Sequence, residues 1–132
     1  MSQITTLEVG AQITPVAVEI TQEKITRYAD ASGDHNPLHI DPDFAATTQF
    51  GGTIAHGMLM IGYISSMMTA AFGRRWLESG RLKVRFRAPA RPGDTITASG
   101  TVTRVEGQSV VCEVECTNQT GEALVLGHAE VV

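Results

Sequence analysis

Aromatic residues, cysteines and long apolar runs are all scarce in this chain of 132 residues, and each scarcity excludes something. Only 5% of the residues are aromatic, and Phe86 is the aromatic residue interleaved with the arginines of segment 82–88. Base stacking, and with it nucleic-acid binding, is therefore not expected. The longest apolar region, residues 58–72, is shorter than the ~20 residues that span a bilayer, so no membrane segment is expected. The first residues lack the pattern of a signal peptide, which predicts a cytoplasmic protein.

The two cysteines, Cys112 and Cys116, fall in one predicted strand. Residues four apart in a strand share a face but lie two pleats apart, too far for a disulfide. We therefore expect both thiols to be reduced and buried. The sequence shows no cluster of metal ligands and no glycine-rich phosphate loop, so neither a metal nor a redox cofactor is expected.

The composition that remains is typical of a globular protein, with 42% hydrophobic and 18% charged residues, and the length predicts one domain over residues 1–132. The net charge is −4, yet seven of the ten basic residues lie between positions 74 and 91, where only Glu78 opposes them. A local basic stripe in an acidic protein indicates an anionic partner.

Hydrophobic periodicity predicts an α+β fold. A strand is predicted over 11–20 and a helix over 22–31, capped by Thr21 and ended by Gly33, with a short helix from Pro42 to about residue 48. Residues 56–72 are apolar on most sides, which predicts a long buried helix. The rest of the chain is predicted as antiparallel strands, at 82–88, 94–105, 108–117 and 122–132. The simplest packing wraps this sheet around the long helix, and its open edge favours dimerisation.

The segment Gly33-Asp34-His35-Asn36-Pro37-Leu38-His39 places a carboxylate and an imidazole five residues apart around an Asn-Pro corner. An Asp and a His that share one water molecule can perform proton transfer. Gly57 stands at the predicted start of the long helix, where a backbone amide can polarise a carbonyl oxygen. Because Gly, Asp, Asn and Pro also dominate ordinary turns, the corner alone does not distinguish a catalytic site from a turn.

Several segments together resemble the signature of the MaoC-like (R)-specific enoyl-CoA hydratases. They are Tyr28-Ala-Asp-Ala-Ser-Gly-Asp-His-Asn-Pro-Leu-His39 with Ala45 six residues later, residues 41–47, residues 54–59, and Phe86-Arg87-Ala88-Pro89 followed by Pro92-Gly93-Asp94. The resemblance covers roughly residues 8–131. It implies a hot-dog fold, in which a curled antiparallel sheet surrounds one long helix, and a homodimer. It also implies reversible hydration of a trans-2-enoyl thioester to the (R)-3-hydroxyacyl thioester, with coenzyme A as part of the substrate.

The resemblance also implies residue roles. Asp34 and His39 form the catalytic pair: Asp34 takes a proton from water, and His39 holds the water and helps to deliver a proton to C2. The Gly57 amide would stabilise the thioester oxyanion. Asn36 either holds Asp34 or the water, or braces the turn. Ser65 lies about two helical turns after Gly57, and either contacts the catalytic Asp or allows close packing.

Other histidines and the basic stripe complete the list of candidates. We interpret His56 as a structural residue that fixes the start of the long helix, with support of the catalytic pair as the alternative. His35 and His128 are expected to be bystanders. Arg85 and Arg87 are candidates for the phosphates of coenzyme A, against the alternative of a solvated strand face.

Several functions compete with the hydratase. The same chemistry on another carrier gives a 3-hydroxyacyl-acyl carrier protein dehydratase, and the basic stripe also suits an acidic carrier protein. A hot-dog thioesterase is disfavoured because the Asp–Asn-Pro–His arrangement is the hydratase pattern. A non-catalytic acyl-binding partner subunit is disfavoured because it needs neither Asp34 nor His39. Acyl chain length and pathway do not follow from the sequence.

Overall fold

A five-stranded antiparallel sheet lies against one long helix in the computed structural model, which describes residues 8–132. The strands are β1 (Gln12–Glu19), β2 (Arg81–Phe86), β3 (Thr95–Glu106), β4 (Ser109–Thr117) and β5 (Ala123–Val131). Their spatial order is β1-β3-β4-β5-β2, and every neighbouring pair is antiparallel. The predicted strands are confirmed to within two residues at each end, and β1 and β2 form the two edges of the sheet.

The helices are α1 (Gln22–Ser32), α2 (Pro37–Ile40), α3 (Pro42–Ala46), α4 (Gly57–Phe72) and α5 (Arg74–Ser79). Helix α4 packs on β1, β3 and β4. Its fully buried side chains meet those of the sheet's inner face in one core, which includes Met60, Ile64, Met67, Met68, Ile96, Val102, Val114 and Val125. This is the predicted α+β hot-dog arrangement. In the part of the chain that the structure describes, no helix has the length and apolarity to cross a membrane.

Helix α1 begins and ends where its caps were predicted. The Thr21 side chain accepts a hydrogen bond from the Lys24 amide at 3.1 Å. Gly33 adopts a left-handed conformation with φ of 80° and donates its N–H to the Ala29 carbonyl at 2.9 Å. The chain therefore leaves the helix just before Asp34, which frees the following corner to turn.

Two short helices were not predicted. Residues after 72 were expected to form only strands, but Gly73 ends α4 with φ of 61° and the chain turns directly into α5. Trp76 of α5 is buried, and its indole N–H donates to the Ser65 hydroxyl at 2.9 Å. Helix α2 is a single turn inside a segment expected to be irregular. Both helices are too short to show a hydrophobic period.

The cysteines lie on the inner face of β4, as predicted. Both are free and fully buried. Burial raises the pKa of Cys112 to about 11, and burial together with the neighbouring Glu115 raises the pKa of Cys116 to about 12. Both thiols are therefore protonated at neutral pH and are core residues rather than nucleophiles.

Candidate active site

Asp34 lies in the exposed corner between α1 and α2, held by short-range hydrogen bonds. Its Oδ1 accepts the Asn36 backbone N–H at 3.2 Å, and its own N–H donates to the Ser32 hydroxyl at 3.2 Å. Over residues 8–132 its second carboxylate oxygen has no hydrogen-bond partner. The turn thus fixes the carboxyl group and leaves one of its oxygens available to a water molecule or a substrate.

His39 is half-buried on α2, and its tautomer follows from its surroundings. Its Nδ1 lies 2.8 Å from the Ile54 carbonyl oxygen, which can only accept a hydrogen bond. Nδ1 therefore carries the proton, and Nε2 of the neutral ring presents a lone pair. The backbone carbonyl of His39 accepts from Gln22 Nε2 at 2.8 Å, which ties α2 to α1.

His56 is a buried residue that contacts both Asp34 and His39. It is only 2% exposed, and its Nε2 donates to the Asp34 backbone carbonyl at 3.0 Å. Its ring stacks on that of His39 with 3.8 Å between centroids and 26° between planes, and meets the edge of Tyr28 at 4.8 Å. His56 occupies the N-cap position of α4 but makes no capping hydrogen bond with its side chain. Of the two interpretations, support of the catalytic pair therefore describes its contacts better.

Asp34, His39 and His56 each place one ligand atom within 4.8 Å of the others. Two hydrogen bonds of about 2.8 Å can bridge atoms up to ~5.6 Å apart, so a carboxylate oxygen of Asp34 and a ring nitrogen of His39 lie within the reach of one shared water molecule. A tetrahedral zinc ion needs its ligand atoms about 3.3 Å apart and convergent. The geometry suits a shared water, and the absence of a metal cofactor stays a prediction.

Gly57 is the first residue of α4, directly after His56. Its backbone N–H has no acceptor anywhere in the described part of the chain. It lies at the positive end of a helix of 16 residues, the end that stabilises negative charge. A Cβ at this position would lie 2.8 Å from Cε1 of Phe86, so the ring packs against the glycine. The arrangement offers a free amide donor one residue from the stacked histidines.

The two supporting candidates have different partners. The Asn36 side chain accepts the Leu38 N–H at 3.0 Å and caps α2, so it braces the turn, while its backbone N–H holds Asp34. The Ser65 hydroxyl accepts from Trp76 at 2.9 Å. Within residues 8–132 it makes no hydrogen bond with Asp34, and its own O–H remains able to donate. The contact of Ser65 with the catalytic Asp therefore stays a prediction.

The basic stripe lines an open groove of about 440 Å³ on the outer face of the sheet. Its charged lining consists of Lys83, Arg85, Arg87, Glu113 and His128. Within the described range neither Arg85 nor Arg87 forms an ion pair, so both guanidinium groups are available to an anion. Phe86 lies between the two arginines, and its ring packs against Gly57, on the opposite face of β2 from Arg85 and the groove.

Sequence reasoning missed Gln22, whose side chain supports the backbone of His39. Gln22 holds the His39 carbonyl through Nε2 and accepts the Thr53 hydroxyl at Oε1 with a distance of 2.8 Å. This one side chain joins α1, α2 and the loop before α4. No local pattern indicates the role, since Gln22 is 17 residues from His39 and 31 from Thr53.

Comparisons with known proteins agree with the geometry. The MaoC like domain family matches residues 6–123. The chain is 38% identical over 127 residues to an (R)-specific enoyl-CoA hydratase of Rhodospirillum rubrum, covering 92% of this chain and 85% of the relative. It is 33% identical over 128 residues to the (R)-specific enoyl-CoA hydratase of Aeromonas caviae, covering 95% and 94%. The solved (R)-hydratase from A. caviae involved in PHA biosynthesis superposes with a TM-score of 0.82 at 30% identity, covering 97% of this chain and 98% of that one.

Proposed function

This chain belongs to the MaoC-like domain family, and on that premise we propose that it is an (R)-specific enoyl-CoA hydratase. It adds water to a trans-2-enoyl-CoA to give the (R)-3-hydroxyacyl-CoA, and catalyses the reverse dehydration. The observation that carries the proposal is the Asp34–His39 pair, close enough to share one water beside the free amide of Gly57.

Water activation falls to Asp34 and His39. A water between them donates one hydrogen to the free Asp34 oxygen and the other to Nε2 of His39, whose proton is held on Nδ1 by the Ile54 carbonyl. The water oxygen bonds to C3 as Asp34 accepts its proton. The π component of the C2=C3 bond is lost, which leaves a single bond, and the proton that Asp34 accepted from the water passes to C2. Because water and proton come from one site on one face of the alkene, the addition is syn.

Gly57 would stabilise the charge that develops during this addition. As oxygen bonds to C3, electrons move through C2 to the thioester oxygen, which becomes an oxyanion. The Gly57 N–H has no acceptor among residues 8–132, and the positive end of the α4 dipole lies there. Removal of such a donor typically costs on the order of 10²-fold in rate.

The reaction is tested with crotonyl-CoA by following loss of the enoyl-thioester absorbance and by chiral analysis of the product. We expect hydration to the (R)-alcohol, and loss of at least ~10²-fold in kcat for Asp34→Asn and His39→Ala, since each removes one partner of the water. His35→Gln is the matched control, because this exposed residue in the same corner pairs with Asp30 on α1 and not with Asp34 or His39 in the described part of the chain. Absence of hydration by the wild type with crotonyl-CoA and with longer acyl-CoA substrates would contradict the proposal.

Arg85 and Arg87 are proposed to hold the phosphates of coenzyme A, because guanidinium groups suit phosphate, both line the groove, and neither forms an ion pair within residues 8–132. Arg85→Ala and Arg87→Ala should each raise KM for crotonyl-CoA by about 10-fold with kcat unchanged, as loss of one charged contact of about 1.5 kcal/mol implies. A crotonyl thioester of pantetheine, which lacks the phosphates, should show no difference between variant and wild type.

The control for this experiment is Arg74→Ala, which removes an exposed arginine already paired with Glu78 on α5. An unchanged KM for crotonyl-CoA in both groove variants would overturn the phosphate assignment. Should the variants instead impair only an acyl carrier protein substrate, the groove would serve the alternative carrier, as in a 3-hydroxyacyl-acyl carrier protein dehydratase.

Two further proposals concern the setting of the enzyme. We propose that it acts as a homodimer, because β2 is an edge strand and both Phe86 and Met58 beside it are more than half exposed. A cytoplasmic location and a place in fatty acid metabolism agree with the substrate class. Coenzyme A enters as part of the substrate, so no separate cofactor is proposed.

A further inference from the structure

We infer that His56 is a positioning residue that fixes where Asp34 and His39 lie relative to each other. This inference rests on the proposed function, in which these two residues are the catalytic pair. His56 is 2% exposed, so it contacts the corner from its buried side and is shielded from solvent. It makes one contact with each partner, a hydrogen bond to the Asp34 carbonyl at 3.0 Å and a stack on His39 at 3.8 Å.

The hydrogen-bond contact fixes the tautomer of the neutral His56 ring. The Asp34 carbonyl can only accept, so Nε2 carries the proton and Nδ1 of the neutral ring has a lone pair. That Nδ1 is buried without a hydrogen-bond partner in residues 8–132. Since buried polar atoms are nearly always paired, a ring kept here with an unpaired nitrogen needs an explanation.

The explanation is that only a histidine satisfies both contacts. A phenylalanine would stack on His39 but leave the Asp34 carbonyl without a donor. A glutamine reaches the carbonyl with Nε2 but has no ring. Tyr28 meets the ring edge-on at 4.8 Å and closes the other side, so the imidazole is clamped between α1 and α2 at the start of α4.

Positioning of this kind acts on kcat. A displacement of about 1 Å in one member of a pair that shares a water can cost ~10²-fold in rate. His56→Phe should therefore lower kcat by about 10²-fold while KM for crotonyl-CoA changes less than threefold, because the groove for the carrier is untouched. His56→Gln should recover at least 10-fold of that loss by restoring the donor to the Asp34 carbonyl.

His56→Asn is the matched control, because its shorter amide places nitrogen near the Nδ1 position and cannot replace the Nε2 donor. It should stay as impaired as His56→Phe. Thermal unfolding of each variant shows whether the fold is intact. Equal kcat for all three variants and the wild type would overturn the inference. So would equal loss in all three, because that result indicates general packing rather than the Asp34 hydrogen bond.

A second readout separates this inference from the proposed function. Imidazole ¹⁵N NMR of the wild type should show His56 protonated at Nε2 and His39 at Nδ1. His56→Phe should shift His39 towards a mixture of tautomers as its ring loses its support. If the wild type hydrates no enoyl-CoA, the proposed function fails, and the NMR result alone decides the positioning role: an unchanged His39 tautomer overturns it.

Discussion

At the scale of single residues, Gly57 is the position where a small substitution best tests the proposed mechanism. A methyl group here would lie 2.8 Å from the far edge of the Phe86 ring, which is 52% exposed and can swing away. Gly57→Ala should therefore cost less than about 1 kcal/mol of folding stability, because a half-exposed ring relaxes easily. It should lower kcat by at least ~10-fold, because the methyl group crowds the place of the thioester oxygen.

The double variant Gly57→Ala/Phe86→Leu tells the two causes of that loss apart. If the displaced ring is responsible, the smaller leucine restores kcat; if the methyl group blocks the oxyanion, kcat stays low. We expect the second result. Urea unfolding gives the stability change, and the crotonyl-CoA assay gives kcat. A Gly57→Ala enzyme as active as the wild type would show that the thioester oxygen does not lie where a methyl group on residue 57 would crowd it.

Single residues were predictable where their chemistry is local. Asp34, His39 and Gly57 stand in short motifs beside glycines and a proline that shape the backbone, and the structure brings them together. The contact of His56 with His39 could not be predicted from the sequence. It joins residues 17 positions apart and depends on the packing of α2 against the start of α4. The Ser65–Trp76 hydrogen bond likewise could not be predicted, because it depends on α5, a helix that no sequence pattern indicated.

At the scale of elements, length decided what could be predicted. Helix α4 has 16 residues and β3 has 12, enough for the apolar period of each to appear several times. Helix α2 has four residues and α5 has six, fewer than two turns, so neither has a period to detect. The caps of α1 were readable because Thr21 and Gly33 act through their own backbone conformation and nearest neighbours.

The short elements nevertheless determine the geometry of the site. Helix α2 carries His39, and its cap Asn36 belongs to the same turn as Asp34. Helix α5 holds the Ser65 hydroxyl through the indole N–H of Trp76, which orients this side chain of α4. The long elements thus form the sheet and the central helix, which the sequence pattern predicts. The short helices orient the side chains of the site, and the sequence pattern does not predict them.

At the scale of the whole molecule, one face of α4 remains uncovered by the sheet. Met58, Gly62 and Ser66 recur four residues apart on it, and all three are exposed. This face starts beside Phe86, at the end of the edge strand β2. An exposed strand edge next to an exposed apolar helix face is a typical setting for self-association. We therefore place the proposed homodimer interface on β2 and this face of α4.

Gly62→Glu tests that placement. A Cβ at Gly62 meets no atom within 4 Å, so the single chain tolerates the substitution, and a glutamate in place of glycine favours the helix by up to about 1 kcal/mol. A charge buried between two copies would instead weaken their association by several kcal/mol.

Sedimentation equilibrium should give twice the 14.1 kDa mass of one chain for the wild type and a shift towards the single mass for Gly62→Glu. Thr14→Glu, at an exposed position on the opposite edge strand β1, is the control and should stay dimeric. A wild type that sediments as one chain would refute the dimer, and a Gly62→Glu protein as dimeric as the control would move its interface away from α4.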